Sequence, residues 1–459
     1  MRRLSVIFVC LLIFTACERF LAYPRTHVTA GEADLVHPIL YTQTTNYSPL
    51  AWLHGGERFP QGAQLIIQDA TPGHPLVPSF YATADANVSF EGTRILFAGK
   101  KTAADPWQVY ELVLDHGTPR RITSTAEDCI RPMYLPGDLI VYSHKLNQRL
   151  VLESLPLAGG IAKRLSFTPG SVLPDDVLND GRILFSSSFP LGSVNGPEIY
   201  TVYSDGSGVE SYRCDHGTAR FAGKQLSDGD ILFVHANGLA RFTSPLAHQA
   251  PVNAPPGDYA GGLTENSAGV VVVSWRSNGS QNFVLKRWNR KTGTTAGVAA
   301  QSDMSLIQPV FLGSRRVPHR HPSGLHEWKY SNLLTLNASI NRDRLIDLHS
   351  VASVRLFTLG MDGEPRLLGS SPVEKDGSFF LQVPGDQPLR FDLVGPTGKV
   401  LERERGWMWA RGGEQRICVG CHAGPEHAPD NAVPAVLLRS TDPVVLTGPA
   451  TPTAEKGGR

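Results

Sequence analysis

The chain has 459 residues, of which 41% are hydrophobic and 19% charged, and its formal net charge is +1. That length calls for two or three domains, or for one repeat array with a smaller partner, and the apolar share is ample for packed cores. A near-neutral chain without a basic stripe excludes a nucleic-acid polyanion as its partner.

The N-terminus reads as a targeting segment. Arg2 and Arg3 precede an apolar stretch, Leu4 to Phe14, that has signal-peptide length and is too short to span a bilayer comfortably. It runs into Phe14-Thr15-Ala16-Cys17, where small residues stand before a cysteine. This pattern resembles the bacterial lipoprotein processing site. It makes residues 1–17 a lipoprotein-like signal peptide, with Cys17 lipidated and the protein held to a membrane by that anchor. Ordinary cleavage further on, after Ala22, is the rival reading. Either route exports the protein to the bacterial cell envelope, periplasmic or outer-surface. No later stretch is long and apolar enough for a transmembrane helix.

From residue 37 to 315 a short apolar triplet keeps returning. It appears as Ile39-Leu40-Tyr41, Ile95-Leu96-Phe97, Leu139-Ile140-Val141, Ile183-Leu184-Phe185, Ile231-Leu232-Phe233 and Val271-Val272-Val273, at steps of 56, 44, 44, 48 and 40 residues. Gly92, Gly137, Gly181, Gly229 and Gly269 precede five of them and supply the turn that feeds each strand. A second strand follows in several repeats, as in Trp107 to Leu114 and Leu150 to Leu157. A period of about 40 to 45 residues with several strands each is the mark of propeller blades, which cover their faces by stacking in a ring. The expectation is an all-β protein with a six-bladed β-propeller over 37–315, closed by the strand near Ile39. An array of β-sandwiches is the alternative.

The run Arg315-Arg316-Val317-Pro318-His319-Arg320-His321-Pro322 reads as a linker. Strand candidates after it are Ser353 to Leu359, Ser378 to Val383, Leu389 to Val394 and Lys399 onward, with turns at Asp376-Gly377 and Gly395-Pro396-Thr397-Gly398. They predict a small β-sandwich-like, haem-binding domain over 325–439. The Thr-, Pro- and Gly-rich tail, 440–459, is expected to be disordered.

Cys418-Val419-Gly420-Cys421-His422 carries the chemistry. Two thiols separated by two residues can form thioethers to the two vinyl groups of a haem, and the next residue brings an imidazole to the iron. The expected cofactor is one covalent haem c, with His422 as the proximal iron ligand. A zinc knuckle lacks a second cysteine pair, and a redox dithiol lacks its βαβ context. Pro425 and Pro429 prevent a long helix after the motif, so a loop holds the haem against the sandwich. Trp407, Met408 and Trp409 either pack on the macrocycle or fill the sandwich core. Candidates for a sixth iron ligand are His427 and Met408, and five-coordinate iron is equally open. His319, His321 and His326 cluster at the domain junction, as solvated linker residues or as ligands. Cys129 and Cys214 are either a disulfide or two buried thiols.

Three segments carry a resemblance: His321-Pro-Ser-Gly-Leu-His-Glu-Trp, Ser371-Pro-Val-Glu-Lys-Asp-Gly-Ser-Phe-Phe and Gly412-Gly-Glu-Gln-Arg-Ile-Cys-Val-Gly-Cys-His. Together they resemble the middle domain of the hydrazine synthase alpha subunit family, and a propeller before that domain is similar to the family's order. The resemblance implies a propeller-plus-haem module of a bacterial envelope, with Cys418, Cys421 and His422 on the haem motif. One motif stands near the end of the chain, which implies a single-haem relative. Two activities are open: envelope electron transfer with a redox partner protein, or a haem enzyme acting on a small nitrogen or oxygen species. A propeller docking module is the reading from another class.

Overall fold

A glycine turn followed by an apolar triplet makes a strand buried on both faces. Ile95, Leu96 and Phe97 are fully buried in Arg94–Lys100, and Ile231, Leu232 and Phe233 likewise in Ile231–His235. The computed structural model describes residues 38–69, 72–114, 117–188, 196–213, 218–235, 238–245, 247–278, 280–299, 303–340, 350–360, 362–420 and 431–448. Among these, the strands form eight four-stranded sheets.

Six of the sheets lie between Ile39 and Phe311, and each apolar triplet occupies the second strand of its sheet. The second sheet, for example, runs Ala82–Val88, Arg94–Lys100, Gln108–Val113 and Arg120–Arg121, each strand antiparallel to the next. The first sheet is completed from far along the chain. Its inner strand is Ser305–Phe311, paired antiparallel with Ile39–Thr44 from Ile39↔Phe311 to Thr44↔Ser305. The six inner strands pack side by side, and the last lies beside the first. The fold is therefore all-β and propeller-like.

The inner strands share an irregularity. In each of the six sheets the pairing of the inner strand with its neighbour shifts register once. Asp85, Arg131, Ala222, Gly261 and Gln308 sit at five of these shifts with positive φ. A bulge at this place twists the strand and re-aims a side chain, here toward the axis of the ring. Asp85 takes both Nη atoms of Arg58 (2.8 and 2.5 Å), the Gln308 Nε2 (2.6 Å) and the backbone N–H of Arg131 (3.1 Å). A buried carboxylate with four donors is fully satisfied. Arg58 comes from the loop between the first two strands, which also sends Trp52 and Phe59 into an apolar cluster with Ala84, Ile130, Leu173, Ala260 and Ile307. That loop plugs one end of the axis. Beside it, the Asp175 carboxyl accepts from Ser186 Oγ (2.5 Å), and burial pushes its pKa up to about 7.

The remaining two sheets form a sandwich. One runs Gln415–Cys418, Tyr330–Thr335, Phe379–Pro384 and Val444–Val445, and the other Pro365–Pro372, Ser353–Leu359, Leu389–Val394 and Val400–Arg403. Alternating residues of the two inner faces, Leu333, Leu381 and Val383 against Val354, Leu356 and Leu393, make one core. The tail departs from its expected disorder at its start. Val444 and Val445 pair in parallel with Leu381 and Gln382, and Leu446 is buried in the core. Val444 and Leu446 bury apolar surface that a Thr/Pro-rich composition conceals, while Val445 stays exposed.

Candidate functional site

The strand that leads into the cysteine motif is an edge strand. Gln415–Cys418 pairs in parallel with Tyr330–Thr335, from Asn332↔Gln415 to Thr335↔Cys418. Pairing continues past the strand end: Leu336 N–H donates to the Cys418 carbonyl (2.9 Å) and Asn337 N–H to that of Val419 (3.2 Å). Cys418 is half-buried at this end, as a free thiol. At Gly420 an added Cβ would lie 2.7 Å from the Ile340 carbonyl oxygen and 2.9 Å from that of Asn337. Backbone packing thus dictates glycine at this position.

The chain beyond the motif returns to the same end of the sandwich. Asp376 Oδ2 accepts from Ala435 N–H (2.7 Å) and Ser378 Oγ from Val436 N–H (3.0 Å), which starts the short helix Ala435–Arg439. The Asp376–Ser378 turn and residues 337–340 are themselves joined, Ala338 N–H donating to the Gly377 carbonyl (2.8 Å). Cys421, His422 and His427 lie outside the described residues, as do Cys17 and Cys214.

The segment before the motif is fastened to the propeller-like ring. Trp409, expected on a macrocycle or in the sandwich core, does neither. Its ring packs between the third and fourth sheets with Phe167, Phe185, Leu165 and Val209, and its Nε1 donates to the Gly206 carbonyl (2.9 Å). Trp407 is buried beside Arg390, whose guanidinium lies 5.2 Å from the ring centre. Met408 packs against both the Trp409 cluster and the sandwich core, and its backbone exchanges two hydrogen bonds with Leu389 (2.7 and 3.0 Å). Glu414 accepts from Gly208 N–H (3.1 Å), and Arg416 Nη2 donates to the Val209 carbonyl (2.6 Å).

The junction histidines are spread out. His319 N–H donates to the Asn179 carbonyl (2.9 Å), His321 stacks on Tyr203 at 3.9 Å, and His326 lies beside Trp328. Among the described residues no three His, Cys, Asp or Glu side chains come together as a metal site. Cys129 is a buried free thiol beside Thr125, and burial pushes its pKa up to about 11, so it is unreactive. The clamp of Glu414 and Arg416 was missed from sequence. The only trace in the sequence is the pair of charges Glu414 and Arg416 shortly before Cys418.

These residues fit a covalent haem. A free, half-exposed thiol stands at the end of a fixed strand, and the next turn is drawn close against backbone by a required glycine. The sequence then supplies a second thiol and an imidazole.

Residues 356–423 match the family model of the hydrazine synthase alpha subunit middle domain. A hydrazine synthase structure from Kuenenia stuttgartiensis superposes with a TM-score of 0.73 at 17% identity, over 88% of this chain and 71% of that one. TolB from Acinetobacter baumannii is a fainter likeness, with a TM-score of 0.49 at 18% identity over 61% of this chain and 67% of that one. No curated protein matches the sequence. The middle-domain match covers most of the sandwich and ends just past the cysteine motif, so this part of the chain is similar to the hydrazine synthase alpha subunit middle domain, and the chain shares the fold of that hydrazine synthase structure.

Proposed function

We propose that this chain is an exported haem protein of the hydrazine synthase alpha type, bearing one covalent haem c and acting at its iron on a small nitrogen or oxygen species. The observation that carries this reading is the family match over 356–423, which contains all of Cys418-Val419-Gly420-Cys421-His422. Cys418 and Cys421 form the thioethers and His422 is the proximal ligand. A c-type haem held there would supply one-electron chemistry and an iron able to take a small ligand.

The chain's own residues hold and orient that group. The parallel pairing of Gln415–Cys418 fixes the first thiol, and Gly420 lets the motif turn lie against residues 337–340. Trp409 and Arg416 keep the whole segment from shifting against the ring. Met408 is packed between two apolar clusters, which counts against it as a sixth ligand to a haem held by this motif.

In the same reading the six sheets are the blades of a six-bladed propeller, and the loop from Cys418 onward is the haem loop. Lipidation of Cys17 anchors the protein in the envelope, where a redox partner protein exchanges electrons with the haem. Carbon monoxide added to the reduced protein tests the open iron. A shifted Soret band is expected. An unchanged spectrum would mark a six-coordinate electron-transfer haem and end the enzyme reading.

A further inference from the structure

The ring has a second feature of chemical interest, independent of the haem. A cavity of about 470 Å³ opens on its axis, lined by the bulged residues of the inner strands and, at its mouth, by Arg315 and Arg316. The loop that carries Arg58 closes the opposite end, where only about 20 Å³ remains. The larger space has the volume of a small metabolite.

The polar groups that face it are unevenly satisfied. Asp85 holds four donors, as described above. Asp176 takes Lys224 Nζ (2.7 Å) and the Gln225 N–H (2.9 Å). Asp175 takes Ser186, and its raised pKa leaves it partly neutral near pH 7. Two lining groups fall short: Glu265, whose Oε2 accepts from Ser227 N–H (2.6 Å) while its Oε1 has only Arg290 at 3.8 Å, and Arg131. The guanidinium of Arg131 has an ion pair with Asp175 at 3.7 Å, and its buried Nε meets no acceptor among the described residues. A buried guanidinium without a full set of acceptors is costly, and a carboxylate matches its planar fork. Val88, Val177, Leu226 and Phe311 line the same space, so it suits a carbon skeleton and not only a hydrated ion. The arginines at the mouth would draw an anion inward.

We propose that the axial cavity binds a small organic carboxylate, with its carboxylate on Arg131 and its carbon skeleton against the apolar lining.

Calorimetry on the full chain tests this with acetate, succinate and glutamate as probes and 1,4-diaminobutane as the cationic contrast. At least one of the carboxylates should bind saturably at one site, and the diamine should not. Arg131→Gln should weaken that binding at least about tenfold, as loss of a charge-assisted pair implies. Circular dichroism shows whether that variant is folded. If it is not, a crystal of the parent chain grown with the bound probe decides, with density expected against Arg131. No saturable binding of any carboxylate below about 10 mM, equal affinity in folded Arg131→Gln, or density only elsewhere would overturn the proposal.

Discussion

Arg416, two residues before Cys418, donates from Nη2 to the backbone carbonyl of Val209, 2.6 Å away on the fourth sheet of the ring. The same turn receives Trp409 at Gly206 and Glu414 at Gly208. The segment that leads to the first thiol is thus tied to a different part of the fold, also through Arg411, whose Nη1 donates to the carbonyls of Arg164 and Asp205. Sandwich and ring are coupled through the segment that leads into the motif.

Trp409→Ala should be the most damaging change at this junction. The side chain is buried between Phe167 and Phe185, so truncation leaves a cavity and an unmet Gly206 carbonyl. A loss of about 3–5 kcal/mol is expected, read as a shift in the denaturant midpoint. Arg416→Met should cost less, about 1–2 kcal/mol. Equal stability of Trp409→Ala and its parent would show that the two parts are not coupled there.

Gly420→Ala tests the packing of the motif turn. The new methyl would stand 2.7 Å from the Ile340 carbonyl oxygen, so either the turn or residues 337–340 must move. A destabilisation of about 1–3 kcal/mol is expected by thermal melting, together with a lower yield of haem-loaded protein. Val419→Ala is the control and should load haem normally.

Asp175 makes stability depend on pH. Its pKa is raised from 3.8 to about 7 in the folded chain, so between those values the folded state holds a proton that the unfolded state has released. Its contribution is full below pH 3.8 and is lost as pH rises toward 7. The slope is at most about 1.4 kcal/mol per pH unit. Asp175→Asn should flatten the stability profile in that window and be more stable than the parent at alkaline pH. A profile of unchanged slope would show that the carboxyl titrates normally.

Cys17→Ser tests the proposed lipid anchor. Lipidation buries acyl methylenes at about 0.8 kcal/mol each, enough for stable attachment when more than one chain is present. The variant should leave the membrane fraction or remain unprocessed. Unaltered fractionation and processing would point instead to cleavage after Ala22.

The second strand of each ring sheet was legible because its cause is local: three apolar residues in a row, in five of the six after a glycine turn. The inner strands were not. Each shifts register at the place where it would otherwise alternate, five of the six at a positive-φ residue such as Asp85, Arg131 or Gln308, so the period-two pattern fails there. Strand Gln415–Cys418 was hidden for another reason, since its partner Tyr330–Thr335 lies far back in the chain and no local signal reports a parallel pairing. Trp409 shows the same limit. Its size and apolarity announce burial, but nothing nearby in sequence says that it enters the ring and not the sandwich. The cysteine motif was plain because five consecutive residues carry its chemistry.

Covalent haem is the central claim, and retention of colour tests it most directly. The mature protein, produced with a working c-haem assembly system, is denatured and extracted with acid acetone. The haem should stay with the polypeptide, because thioethers survive where iron coordination does not. Cys418→Ala with Cys421→Ala should abolish that retained haem, and His422→Ala should shift the spectrum far more than His427→Ala if His427 is only a loop residue. A colourless parent protein that holds zinc in place of iron would contradict the account.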